Sequence, residues 1–226
     1  MSVKHKLISG NIISRNPISN ILIVLGLGLT LLFAFPYLRD EARYYLMTLT
    51  GKRYELGSGA DKESVFARYL GSKPLIIEPV NKDFALVIEK IGVNAPVVAD
   101  VSVTNESAYK EALKYGVAHS ASSMYPSDQA GNVYIFAHSS LNFWELGKYA
   151  QTFNLLHKLA VGDTIHVFYE NRDYVYKVVN KEIYSGFNTY PLTRPVVEPL
   201  LTLQTCDPPG TTFNRLVVTA KLQEVL

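Results

Sequence analysis

A lone thiol stands at the end of an apolar run, Leu201-Thr-Leu-Gln-Thr-Cys206, ahead of Asp207-Pro-Pro-Gly210, with Arg215 at the head of Leu216-Val-Val-Thr219. The chain has no second cysteine, so no internal disulfide can form, and the sulfur is either a small buried hydrophobe or a nucleophile. Both runs read as strands joined into a hairpin by the Pro-Pro-Gly turn. If the register is symmetric about residues 207–214, Cys206 and Arg215 lie opposite each other with Cβ atoms about 5 Å apart. A fixed cation there favours the thiolate. The period of two puts Thr202, Gln204 and Cys206 on one face and Leu201, Leu203 and Thr205 on the other. The apolar face turns inward, so Cys206 is expected to point outward.

A second chemically capable group ends another run, Val133-Tyr-Ile-Phe-Ala-His138, which is apolar on both faces and reads as a central strand. An imidazole at such a strand end can exchange protons with a reacting group, or can simply be packed at the rim. The other histidines give weaker signals. His157 and His166 read as surface or packing residues, and His5 belongs to the terminal tail.

Around these groups the chain reads as one β-rich domain. At 226 residues it can bury one core of ordinary size, and its 15 tyrosines favour strands. A formal net charge of +2 with no dense basic stripe argues against a nucleic-acid partner. Short apolar runs fall at 75–79, 84–91 and 95–98. A helix follows over 109–115, capped by Thr104 or Asn105 and ended by Gly116. Residues 119–132 read as irregular and 153–159 as helical. A hairpin follows, 164–169 and 174–179, turning at 170–173. Seven or eight turn-separated strands favour a closed barrel or a sandwich over a parallel sheet.

The N-terminus has a different texture. No charged residue occurs from Ile18 to Tyr37, and about 20 helical residues span about 30 Å, the thickness of a bilayer core. Phe33-Ala34-Phe35 is not a small-x-small cleavage site, which favours an uncleaved anchor over a signal peptide. Basic residues flank the run on both sides, so charge alone does not orient it. The expected organisation is a cytoplasmic tail over 1–17, a transmembrane signal anchor over 18–37, a juxtamembrane stalk or helical segment over 38–80 with a helix at 61–70, and a β-barrel over 81–226.

Several segments, taken in order, resemble the sortase family of bacterial surface transpeptidases. They are Leu86-Val-Ile-Glu-Lys-Ile-Gly-Val-Asn-Ala-Pro-Val-Val98, Leu113-Lys-Tyr-Gly-Val-Ala-His119, Gly131 to His138, Leu159-Ala-Val-Gly-Asp163, and Leu201 to Cys206 with Arg215. The resemblance implies a mainly β fold, a closed eight-stranded sortase-like barrel with short helices behind one transmembrane helix. It also implies a barrel outside the bacterial cell membrane and a catalytic trio of Cys206, His138 and Arg215.

In that reading Cys206 attacks a threonine carbonyl in a signal resembling Leu-Pro-x-Thr-Gly, His138 handles the amine protons, and Arg215 steadies the oxyanion. The implied partners are secreted proteins bearing a C-terminal sorting signal, an amine acceptor on the cell surface or a pilin, and the lipid bilayer. No cofactor and no metal is implied for the chemistry.

Thr205, His119 and Trp144 are further candidates for substrate contact, each with a packing role as the alternative. The chain departs from the family's usual pattern in Ala137-His138-Ser139-Ser140, where Gly often precedes the histidine and Arg-Asp follows it. Glu89 stands where Pro is common. No Asp-Pro-aromatic lid occurs between Arg39 and Phe84, which disfavours a pilin polymerase. The competing functions are a membrane-anchored thiol peptidase and a non-catalytic β-module.

Overall fold

The computed structural model describes residues 17–57, 74–139, 149 and 151–226. The expected helix at 61–70 and Trp144 lie outside the described residues. The chain divides into two compact units, 1–35 and 36–226. One helix, α1 (Pro17–Leu49), carries the described part of the first unit and is long and apolar enough to cross a membrane, by length and composition. Along residues 18–32 its large apolar side chains are exposed.

The second unit is built on a closed barrel. Its strands are β3 (Phe84–Ile88), β4 (Val93–Val101), β5 (Val117–Ser120), β6 (Gly131–Phe136), β7 (Thr164–Tyr169), β8 (Arg172–Ser185), β9 (Pro199–Asp207) and β10 (Asn214–Val225), in the order β10-β8-β7-β3-β4-β5-β6-β9 with β9 closing on β10. The β4/β5 and β6/β9 pairs are parallel and the other barrel pairs antiparallel. Closure leaves no free sheet edge in the barrel. Outside it, β1 (Tyr54–Leu56) pairs in parallel with β2 (Leu75–Ile77). Leu56 N–H donates to the Glu89 carboxylate, which gives that departure from the family pattern a structural partner.

Alternation fills the interior. Leu201 and Leu203 of β9 meet Val218 and Ala220 of β10 and Val133 and Ile135 of β6 in one core cluster. A leucine taken wholly out of water contributes about 1.5–3 kcal/mol. Thr202 was expected to face outward, yet it is fully buried. Arg194 Nη2 donates to Thr202 Oγ1 (3.0 Å) and Thr219 Oγ1 (2.9 Å), while Thr202 Oγ1 donates to Asn132 Oδ1 (2.7 Å). Asn132 Nδ2 in turn donates to the Pro191 carbonyl, so the segment between β8 and β9 covers that face.

Several boundaries differ from the sequence reading. Val117–Ser120 is a strand whose second half was expected to be irregular, and 153–159 is a series of turns with one 3-10 turn at Leu156–Lys158. The β7/β8 turn is two residues, Glu170 and Asn171, both at positive φ, so β8 begins at Arg172. A helix, α2 (Glu106–Tyr115), starts at Asn105, whose side chain accepts from Ala108 N–H, and runs toward Gly116. A single helical turn, α3 (Tyr190–Thr193), lies in the β8–β9 connection.

Within the second unit, residues 36–49 of α1 lie on the barrel. Glu41 binds His157 Nε2 at 2.9 Å and Lys158 Nζ at 2.8 Å, Asp40 accepts from Asn154, and Tyr44 packs against the core.

Candidate active site

The C-terminal ends of β6 and β9 and the N-terminal end of β10 meet on one rim, because β6/β9 is parallel and β9/β10 antiparallel. Register then sets the chemistry. Cys206 pairs directly with Arg215. Gly131 pairs with Pro199 and Phe136 with Gln204, and the same offset carried two residues further brings His138 level with Cys206. Adjacent strands lie about 4.8 Å apart, so three neighbouring strands present an imidazole, a thiol and a guanidinium in a row. All three line one groove of about 640 Å³.

Short ties hold the row. Ala137 N–H donates to the Gln204 carbonyl (3.1 Å), Thr205 Oγ1 to the Ala137 carbonyl (2.9 Å) and Ser139 Oγ to the Cys206 carbonyl (2.7 Å). Gly210 N–H closes back on the Ser139 carbonyl, and the Asp207–Pro208 peptide is cis. His138 Nε2 is buried without a hydrogen-bond partner, and its ring lies 5.9 Å from that of Tyr109. Arg215 Nη1 donates to the carbonyls of Thr212 (3.2 Å) and Asn214 (3.0 Å), an arrangement that leaves its remaining N–H groups for other acceptors.

Burial pushes the Cys206 thiol above its ordinary range, and the positive charge of Arg215 works in the opposite direction. Burial likewise lowers His138, and Lys110 lowers it further. Both shifts favour the uncharged forms, so near neutral pH the resting site holds a thiol and a neutral imidazole. A neutral imidazole can accept the sulfur's proton, a transfer that both shifts make more uphill.

Of the remaining described candidates, His119 falls elsewhere and Thr205 borders the groove. His119 is fully buried, its ring tilted against Tyr125 with centroids 4.7 Å apart, and hydrogen-bonded through Nε2 to the Met124 carbonyl and Ser123. That position offers no surface to a substrate, because the aromatic cluster of Phe84, Tyr125 and Tyr169 surrounds it. Thr205 lines the groove, but its hydroxyl is engaged inward.

Two groove residues had no local signal in the sequence: Tyr109 and Lys110 of α2, which read there as helix body. Phe187, 98% exposed, stands on the opposite connection. Among the described residues, no three His, Cys, Asp or Glu side chains are grouped to hold a metal ion.

Comparison with known proteins agrees with the fold. Sortase C-1 from Actinomyces oris aligns with a TM-score of 0.53 at 23% identity, over 70% of this chain and 81% of its own. The Clostridium perfringens sortase D5 transpeptidase gives 0.51 at 22%, over 70% and 86%. Sortase E1 from Streptomyces coelicolor gives 0.51 at 23%, over 64% and 90%. No curated protein matches the chain in sequence. The sortase domain family matches residues 86–223, more than half of the chain and nearly the whole of the barrel, and the chain thus belongs to the sortase family of transpeptidases.

Proposed function

We propose that Cys206, His138 and Arg215 carry a transpeptidation that cuts a signal resembling Leu-Pro-x-Thr-Gly and passes the upstream protein to a cell-surface or pilin amine. The observation that carries this reading is their register-matched row on one groove.

His138 Nε2 takes the proton from Cys206 Sγ, and the thiolate attacks the threonine carbonyl carbon. Arg215 donates to the oxygen as it becomes anionic, where an aligned donor contributes about 3–4 kcal/mol. Collapse breaks the C–N bond, and the imidazolium gives its proton to the departing glycine amine. The acceptor amine then attacks the thioester and loses its proton to neutral His138, and Sγ leaves as the new amide forms. A Streptomyces coelicolor sortase E1 is described with a tripeptide in its active site, which supports a peptide in the equivalent groove. Residues 18–37 would anchor the chain, with 1–17 inside and the barrel outside.

The test uses the full chain in neutral detergent micelles with a sorting-signal peptide and a saturating amine. Mass spectrometry is expected to find an acyl adduct on Cys206 and a ligated product. Hydrolysis alone at saturating amine would make the protein a thiol peptidase. Full turnover by Cys206→Ala would reject the assignment.

A further inference from the structure

A second groove, of about 610 Å³, lies on the barrel unit between residues 39–54 and the 90–94 segment. Its described lining carries five cations, Arg39, Arg43, Lys52, Arg53 and Lys90, against one carboxylate, Asp40. Three of the cations are already neutralised, Arg39 by Asp40, Arg53 by Glu55 and Lys90 by Asp163. Arg43 and Lys52 make no ion pair among the described residues.

The wall under Arg43 is built in advance. Its guanidinium lies 5.7 Å from the centre of the Tyr54 ring and also donates to the Tyr54 hydroxyl. That ring is seated against Gly92, where φ is +66° and an added Cβ would meet Tyr54 Cε2 at 2.6 Å. Any larger residue there would displace the tyrosine.

We infer that this groove binds the phosphodiester headgroup of an anionic phospholipid. Arginine forks match phosphate oxygens, and a groove of this volume suits a small polar group. On the same lining Thr48 Oγ1 donates to the Tyr44 carbonyl and Gln151 Oε1 accepts from Arg39, and each side chain keeps a further acceptor or donor that suits headgroup hydroxyls. A lipid is favoured over a free phosphate ester by place in the chain, since the uncharged run ends at Tyr37 and Arg39 and Arg43 follow two and six residues later. The inference rests on the reading of 18–37 as a membrane span.

The experiment takes the full chain in neutral detergent micelles and counts bound lipid by native mass spectrometry, adding phosphatidylglycerol or phosphatidylcholine. One phosphatidylglycerol is expected to be retained in preference to phosphatidylcholine. Lys52→Gln is expected to weaken retention about fivefold, and Arg43→Gln with Lys52→Gln about thirtyfold. Lys177→Gln, exposed and outside the groove, should leave it unchanged. Lys52 has no side-chain partner among the described residues, so its variant keeps the test independent of folding.

Equal retention by wild type and Lys52→Gln, or equal retention of the two lipids, overturns the inference. Tighter binding of soluble glycerol phosphate than of the lipid overturns the assignment to a membrane source. Partition of the chain into pure phosphatidylcholine vesicles reports the membrane span by itself, so its failure is read separately from that of the groove.

Discussion

Replacing Arg215 by Gln separates two contributions of one guanidinium. Arg215 faces Cys206 across a single ladder step, which for a side chain of this reach puts its charge on the order of 6 Å from the sulfur. With an effective dielectric of about 40, between surface-pair and bulk-water values, the attraction to a thiolate is about 1.4 kcal/mol, about tenfold in thiolate population. Less thiolate slows alkylation, while a more basic sulfur is intrinsically more nucleophilic and restores roughly half of the logarithmic loss.

Iodoacetamide should therefore modify the variant only about threefold more slowly at pH 7.5. Peptide transfer should fall much further, about 10²- to 10³-fold in kcat, because the variant also lacks the oxyanion's cationic donor. Arg215→Lys keeps a charge without the planar fork, so its alkylation should approach wild type while transfer remains depressed. The assay measures alkylation by intact mass and transfer by product formation, on the same micellar preparations. If transfer falls no further than alkylation, Arg215 acts only through the thiol and the oxyanion role is wrong. Faster alkylation of Arg215→Gln would refute the charge argument itself.

Two other outcomes follow from burial and charge. Lys110 adds to the burial that lowers His138, so Lys110→Gln should move the acidic limb of the transfer rate upward in pH, and a downward move would refute that charge effect. His119 is also held below its ordinary range by burial, so between that range and its native value the unfolded chain binds a proton that the folded chain refuses. Stability therefore falls as the pH drops through that window, by up to about 1.4 kcal/mol per unit for this one group. Thermal unfolding of His119→Gln between pH 7 and 5 should show a shallower decline than wild type, and equal slopes would refute it.

The sequence carried the Cys206–Arg215 pairing because hairpin register is a local matter: strands on either side of a turn pair symmetrically about it. The inward face of β9 was legible for the same reason at Leu201 and Leu203. The burial of Thr202 is not legible locally, since its cover, Arg194 and the segment around α3, comes from elsewhere in the fold. The strand Val117–Ser120 was partly hidden because its polar half, His119 and Ser120, is satisfied by contacts with Met124, Ser122 and Ser123 rather than by an apolar pattern. The alignment of His138 with Cys206 depends on a parallel pairing between distant segments, which no turn announces. Tyr109 and Lys110 reach the groove only because α2 packs beside β4 and β5, so nothing in their own stretch marks them.

Because the three proposed reacting groups sit at or just beyond the ends of three laterally bonded strands, their spacing belongs to the sheet's own repeat and not to the connections around it. Those connections are then free to lengthen, shorten or exchange residues during divergence while the chemistry stays in place. On the proposed reading the arrangement uncouples what is recognised from how it is cut, and the barrel itself is shared with solved structures that match fewer than one residue in four.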